Sequence, residues 1–412
     1  MNSNNAANDI QPGEQENKVA KRNAIVYATC QAFNGASTPV NLAVGGLAGS
    51  YLLGEDKSLA TIPIASFTAG VAIGAIPAAV LTRNLGCKYG FMVGMCIGIV
   101  GMLLATYALL IGSFMLLCVA TLINGVAAGF VQQYRFAAAD RGTAEFVPKA
   151  ISCVLIGGIA AAVIGPQLVI HTRDLLLPTQ FAGAYLSGIS LFVVSIMAMY
   201  FLDSSTPVEQ NTSTSELTVR PLLQIIVQPR FLVALLCGTC SFALMTFIMT
   251  AAPLAMVGHG ISVDDATLGI QWHVMAMFGP SFFTGNLIAR YGKAPVVICG
   301  LCILVACGIV ALMGIQLWHF WLSLVLLGLG WNFAFIGSTA MVVETYHPHE
   351  KSKAQGAHDF ILFSVVALAS LLAGWVLNHY GWETLNYIIF PVVIIAILAL
   401  FWLSRLERVE TA

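Results

Sequence analysis

Asp140, Glu344 and the adjacent pair His358-Asp359 stand at the ends of long apolar stretches, beside polar gaps that carry basic residues. Asp140 has Arg83 and Lys88 as candidate partners, and Glu344 has Arg290 and Lys293. Pairs that are made and broken can bias a molecule between two conformations. A proton on Asp140, Glu344 or Asp359 would then couple to that change. One such pair at a partly wet site is worth about 0–1 kcal/mol, so several must act together. Asp359 has a second reading, as an acid favoured by the dipole at a helix start. Arg135 lies about one turn inside its apolar stretch. Its guanidinium suits a carboxylate or phosphate of a substrate; alternatively it is a snorkelling anchor or a partner for Asp140. His273 is set well inside an apolar stretch, as a proton carrier or as a neutral imidazole bonded to a neighbouring helix.

Polar residues inside such stretches are costly, so they mark water-lined or interface positions. Tyr27, Gln31, Asn34, Thr38 and Asn41 recur in the first stretch. On a helix they fall within an arc of roughly 80°. The stripe reads as the wall of a solute cavity or as a seam of interhelical hydrogen bonds. Pro39 breaks the backbone ladder beside it. Thr246 and Thr250, with Thr239, share a face in the seventh stretch, where threonines either line a cavity or bond back to their own helix. Asn124, and the adjacent Trp331 and Asn332, sit near the middle of their stretches. A lining of apolar and amide groups suits a neutral or weakly polar organic solute.

The elements that hold these residues are membrane helices. The chain is 58% hydrophobic and 9% charged, with mean hydropathy +0.86; soluble chains run nearer 25% charged. Twelve spans of about 20 residues are read near 23–45, 60–81, 89–111, 114–138, 149–170, 181–202, 231–256, 267–288, 294–314, 319–342, 357–378 and 386–404. They lack the period-two alternation of a membrane β-barrel. Sixteen of the 18 Lys and Arg fall in every second gap, and only Lys57 and Arg173 in the others. By the positive-inside rule both termini are cytoplasmic. Residues 1–22 lack signal-peptide architecture and read as a disordered cytoplasmic tail. The ten cysteines lie almost all within spans and read as small buried hydrophobes. Cys237-x-x-Cys240 lacks the βαβ context of a redox pair. His347-Pro-His349 supplies too few ligands for a metal. No basic patch suits nucleic acid.

A polar linker, 203–230, divides the spans six and six, giving an N-terminal bundle at 23–202, a C-terminal bundle at 231–404 and a short tail at 405–412. Gly86 and Gly292 stand 206 residues apart in matching gaps; Asp140 to Lys149 matches Glu344 to Lys353 at an offset of 204. Those matches imply an all-α integral membrane fold of twelve helices in two six-helix pseudo-repeats, parallel about the membrane normal.

Twelve spans, the duplication and the Gly-Lys hinges resemble the major facilitator superfamily over the whole chain after the tail. The family's loop signature, G-x-x-x-D-R-x-G-R-R, is kept in part. In the first copy Ala79, Arg83 and Asn84 replace the leading Gly, the Asp and the Arg, with Gly86 and Lys88 kept. In the second, Gly285, Arg290, Gly292 and Lys293 fit and Ala289 replaces the Asp. Gly165-Pro166 is similar to the family's antiporter motif, with Ala161 for its first Gly and Val169-Ile170 for its closing pair. The stretch from Gly328 to Phe360 is similar to a broad group of bacterial members. The resemblance implies that helices one, four, seven and ten surround the pathway, which makes the polar residues there candidate solute contacts.

The expectation is a secondary transporter that moves a small neutral or amphiphilic organic solute by alternating access. No Walker motif offers ATP, so a proton gradient is the expected driver, by symport or antiport. A bacterial inner membrane, a lipid environment and a monomer are expected, without cofactor or metal. The alternatives are an organic-anion importer using Arg135 and His273, and a non-transporting membrane sensor. Neither His-Glu-x-x-His nor a nucleophile elbow supports an enzyme.

Overall fold

The computed structural model describes residues 12–54, 57–139, 147–203, 220–347 and 350–410. Every regular element among them is helical, as backbone polar groups in lipid require. The first span is α1 (Pro12–Phe33) and α2 (Ser37–Leu53), joined by a 3-10 turn at Asn34–Ala36. Pro39 explains the break: its ring excludes the normal helical contact with the carbonyl four residues back, at Gly35. α1 starts well before the apolar run and takes up residues 12–22 of the expected tail. Pro12 at the first helical position, with Glu14 and Glu16 in the opening turns, favours that start.

The next helix, α3 (Ile62–Leu110), carries two spans across the non-helical Gly86. Then follow α4 (Phe114–Val131), α5 (Tyr134–Ala139), α6 (Val147–Thr172) and α7 (Ala182–Met199). Beyond the short α8 (Leu222–Ile226) come α9 (Pro229–Gly258), α10 (Val263–Phe278), α11 (Ser281–Tyr291), α12 (Lys293–Leu312) and α13 (Leu317–Val343). α14 (Lys351–Tyr387) passes the non-helical Gly381 and leads into α15 (Ile389–Glu410). Among the described residues, nine helices are long and apolar enough to cross a membrane. α3 crosses twice, and the interrupted pairs α1–α2 and α10–α11 cross once each, which brings the spans to the twelve read from sequence.

The repeat is visible in local geometry. Gly86 (φ 79°, ψ 159°) and Gly292 (φ 89°, ψ 167°) hold the same backbone conformation, open essentially to glycine alone. Arg22 pairs with Asp203 at 2.7 Å, and Arg230 with Glu407 at 2.6 Å. The arginines are 208 residues apart and their partners 204. Asn23 also exchanges hydrogen bonds with the Asp203 backbone (3.0 and 3.2 Å), which fixes the start of the linker. Its middle, 204–219, lies outside the described residues. Within the N-terminal half, α3 and α4 touch backbone to backbone: a Cβ on Gly70 would run into the Leu122 carbonyl oxygen, and one on Gly74 into that of Val126.

The halves meet most closely on the face opposite the termini. There Arg173 Nη1 lies 2.9 Å from Asp264 Oδ1, and Gln167 Nε2 donates to Gln271 Oε1 at 3.0 Å. Gly374 packs against Thr61 on the same face. On the terminal face, Arg135 and Asp359 belong to different halves and both are exposed. Arg135 and Asp359 flank the space between the halves on that face, the vestibule.

Candidate functional site

Charged groups gather at the terminal ends of the helices. Glu344 pairs with Lys293, and Arg290 lies 5.3 Å from the Tyr291 ring centre. Lys88 donates to the Tyr200 carbonyl at 2.9 Å, and Arg83 is exposed. Asp140 lies outside the described residues. The reading of Asp359 as a helix-start acid does not fit: α14 begins at Lys351, so Asp359 stands two turns inside it. Its Oδ1 is 2.9 Å from Nδ1 of His358, a side chain only 5% exposed. Arg135 follows the turn that separates α5 from α4. It is solvent-exposed yet enclosed by protein, and it feels the Asp359 charge across the vestibule.

The first-span stripe divides. Tyr27 is buried, stacks on Tyr134 (6.0 Å) and meets Phe91 edge-on (5.9 Å). Asn34 donates to the Tyr134 hydroxyl at 2.7 Å. Asn41 donates to the Ser37 carbonyl of its own helix at 2.8 Å. Gln31 and Thr38 are half-buried. Beside the interrupted turn, Asn34 Oδ1, Ser37 Oγ and Asn41 Oδ1 are buried without a protein partner. Unsatisfied buried polar atoms require an explanation, such as water or a ligand. Asn124 is also buried without a partner for its amide, and packs on Gly101 of α3.

In the C-terminal half the amide at mid-span is fully employed. Asn332 donates to the Met277 carbonyl (2.6 Å) and the Ser281 hydroxyl (2.8 Å), and accepts from Thr284 (2.6 Å). It bridges α13 to the break between α10 and α11, where the ladder leaves groups to satisfy. His273 is fully buried, and its Nδ1 bonds the Leu324 carbonyl at 2.8 Å. That is the interhelical bond weighed in the sequence against a proton carrier. Thr246 is buried, and Thr250 is 3.5 Å from Ser370. Trp331 lies almost parallel to Phe335 (5.0 Å, 14°) and edge-on to Phe242 (5.4 Å), which also meets Phe363 (5.6 Å). Phe242, Phe335 and Phe363 are half-buried. Three helices thus bring one aromatic surface together, the geometry that holds planar rings.

The sequence profile of the Major Facilitator Superfamily matches residues 26–369 and 236–412. The chain belongs to that superfamily. It is a membrane transporter of small molecules and not an enzyme. Among relatives, the riboflavin transporter RfnT of Brucella anthropi is 45% identical over 381 residues, 92% of this chain and 95% of that protein. The uncharacterised transporter YddS of Bacillus subtilis is 30% identical over 407 residues, 93% of each chain. Among solved structures, the nucleoside transporter NupG aligns with TM-score 0.68 at 14% identity, covering 93% of this chain and 99% of that one. A bacterial homologue of the human lysosomal transporter Spinster aligns with TM-score 0.65 at 15% identity, covering 94% and 97%. At those identities the two structures show the shared fold.

Several residues of this site escape a reading of the sequence. Phe242, Phe335 and Phe363 look like ordinary apolar span residues. Arg173 did carry a signal, as one of two basic residues on the sparsely charged face. Away from the vestibule, a cavity of about 340 Å³ opens on the terminal face of the C-terminal half, lined by both ion pairs, Arg230–Glu407 and Lys293–Glu344.

Proposed function

We propose that this chain carries riboflavin, or a closely related flavin, across the membrane by alternating access driven by a proton gradient. The observation that carries the substrate is the 45% identity, spanning 92% of the chain, to a protein named for riboflavin transport. The site chemistry supports it. A flavin ring is planar and aromatic, and the Phe242–Trp331–Phe335–Phe363 surface suits stacking. The flavin's polyhydroxyl chain offers the hydrogen bonds that Asn34, Ser37 and Asn41 lack. Riboflavin is neutral, as the amide-rich lining suggests.

The excess of basic residues favours a cytoplasmic terminal face, and on this reading the vestibule faces inward in a bacterial inner membrane and the chain works as a monomer. The two halves, 23–202 and 231–404, rock about the bound flavin. Asp359, facing the Arg135 charge across the halves, is the core of the terminal gate; Glu344 with Lys293, and Lys88, brace the terminal ends within their own halves. The organic-anion reading is less well supported: His273 is fully buried with Nδ1 on the Leu324 carbonyl, while Arg135 interacts with the Asp359 charge.

The test is uptake of labelled riboflavin by cells that lack their own flavin transport. Saturable uptake is expected, abolished by a protonophore and competed by intact flavins but not by ribitol. Purified protein that neither binds nor transports riboflavin would reject this substrate. Asp359→Asn should lose uphill accumulation and retain counterflow exchange; unchanged accumulation would remove Asp359 from the coupling.

A further inference from the structure

His273 and His358, both buried on spanning helices, differ in their surroundings. At His273 the ring partner is a neutral carbonyl, Leu324 O. At His358 it is a carboxylate, with Nδ1 2.9 Å from Asp359 Oδ1. An ionised carboxylate only accepts, so Nδ1 of His358 carries the hydrogen and Nε2 keeps the lone pair. That Nε2, like Nε2 of His273, is buried without a hydrogen-bond partner among the described residues, so the two histidines differ in what holds Nδ1. The room around it depends on glycine at 238 of α9: a Cβ there would stand 3.8 Å from Nε2 and 2.9 Å from the Ser338 hydroxyl of α13. A proton arriving at Nε2 would make an imidazolium already bonded to its counter-ion, a charge-assisted arrangement.

Asp359 also serves a second cation. Its side chain is 62% exposed to the vestibule, and Arg135, on the opposite half, interacts with its charge. Against His358 lie Phe231 of α9, edge-on at 6.4 Å, and Gly238 of the same helix.

We propose that His358 is the proton-binding residue of this transporter, and that its proton competes with Arg135 for Asp359, so that protonation opens the terminal face. The inference rests on the proton-coupled reading above. Protonated His358 holds Asp359 on its own half. Deprotonated His358 releases Asp359 toward Arg135, which draws α14 and α5 together and closes the mouth. Linkage makes the effect reciprocal: closure weakens proton binding by the factor by which protonation favours opening.

The test uses full-length protein in lipid vesicles, in a cysteine-free background. Spin labels at Gln132→Cys and Lys353→Cys, one on each half and both on exposed side chains, report the width of the mouth. From about pH 8 to about pH 5.5, the ratio of closed to open mouths should fall roughly fivefold. His358→Gln should remove that response. Asp359→Asn should remove it too while keeping the histidine, which covers a His358 variant that fails to fold. Arg135→Gln should lose the closed population at both pH values. A parent protein without a pH response, or a His358→Gln protein that responds like the parent, overturns the proposal. The distance needs no substrate. A pH response through His358 in a protein that does not transport riboflavin would therefore reject the flavin and leave this inference standing. A response in a protein whose riboflavin uptake ignores the proton gradient would reject coupling alone.

Discussion

A planar ring among Phe242, Trp331, Phe335 and Phe363 gains stacking that no polar side chain can replace. One aromatic contact is worth about 0.5–1.5 kcal/mol beyond its buried area. Trp331→Ala should therefore raise the riboflavin concentration for half-maximal uptake by roughly two- to tenfold. An unchanged half-saturation with a lowered melting temperature would reduce Trp331 to packing. In the turn before α14, Glu350 makes a different use of charge. It is buried and gripped by both Nε (2.8 Å) and Nη2 (2.6 Å) of Arg220, with the His347 amide donating at 2.9 Å. The Arg220 guanidinium holds its carboxyl well below the ordinary value of 4.5. Because the folded value is depressed, the stabilisation is complete above about pH 4.5 and fades as the pH falls through the folded value. Glu350→Gln should lower the melting temperature at neutral pH, with the gap to the parent narrowing below pH 4.5. A gap that widens in acid would contradict this account.

At the scale of elements, interruption is the recurring device. The first span breaks at Asn34–Ala36 and the eighth between α10 and α11, at Gly279-Pro280. The first break leaves buried polar atoms unpaired, whereas Asn332 and Thr284 satisfy the second. Asn332→Ala should loosen the second break and lower thermal stability, since it removes the donor to the Met277 carbonyl and the Ser281 hydroxyl in the membrane. Gly86→Ala and Gly292→Ala should each cost about 1–3 kcal/mol, because each forces a side chain into a region open to glycine alone. Equal stability of either variant in a detergent melt would show that its turn had reorganised.

For the whole molecule, the closed face is the one opposite the termini. Its polar cross-half contacts include Arg173 with Asp264 and Gln167 with Gln271. An ion pair of this exposure contributes about 0–1 kcal/mol, so breaking it should shift the balance of states by no more than roughly fivefold. Asp264→Asn should raise access of an aqueous probe to that face, and exchanging the two charges, Arg173→Asp with Asp264→Arg, should restore it. Equal access in the single variant and the parent would exclude this pair as a latch.

Membrane class, span positions and the repeat were legible in the chain itself. Hydrophobicity, charge placement and glycine spacing are properties of single residues and their order, and the bilayer acts on each span directly. Which polar residue faces the vestibule was not legible. Asn34, Asn124 and Asn332 look alike in sequence, yet one meets a tyrosine, one packs on a glycine unpaired, and one pins a broken helix. Likewise His273 and His358 were separated only when folding set a carbonyl beside one and a carboxylate beside the other. A side chain's partner comes from a different helix or an irregular turn, and the rotation of one helix against another is set by packing between distant segments, which no local pattern records.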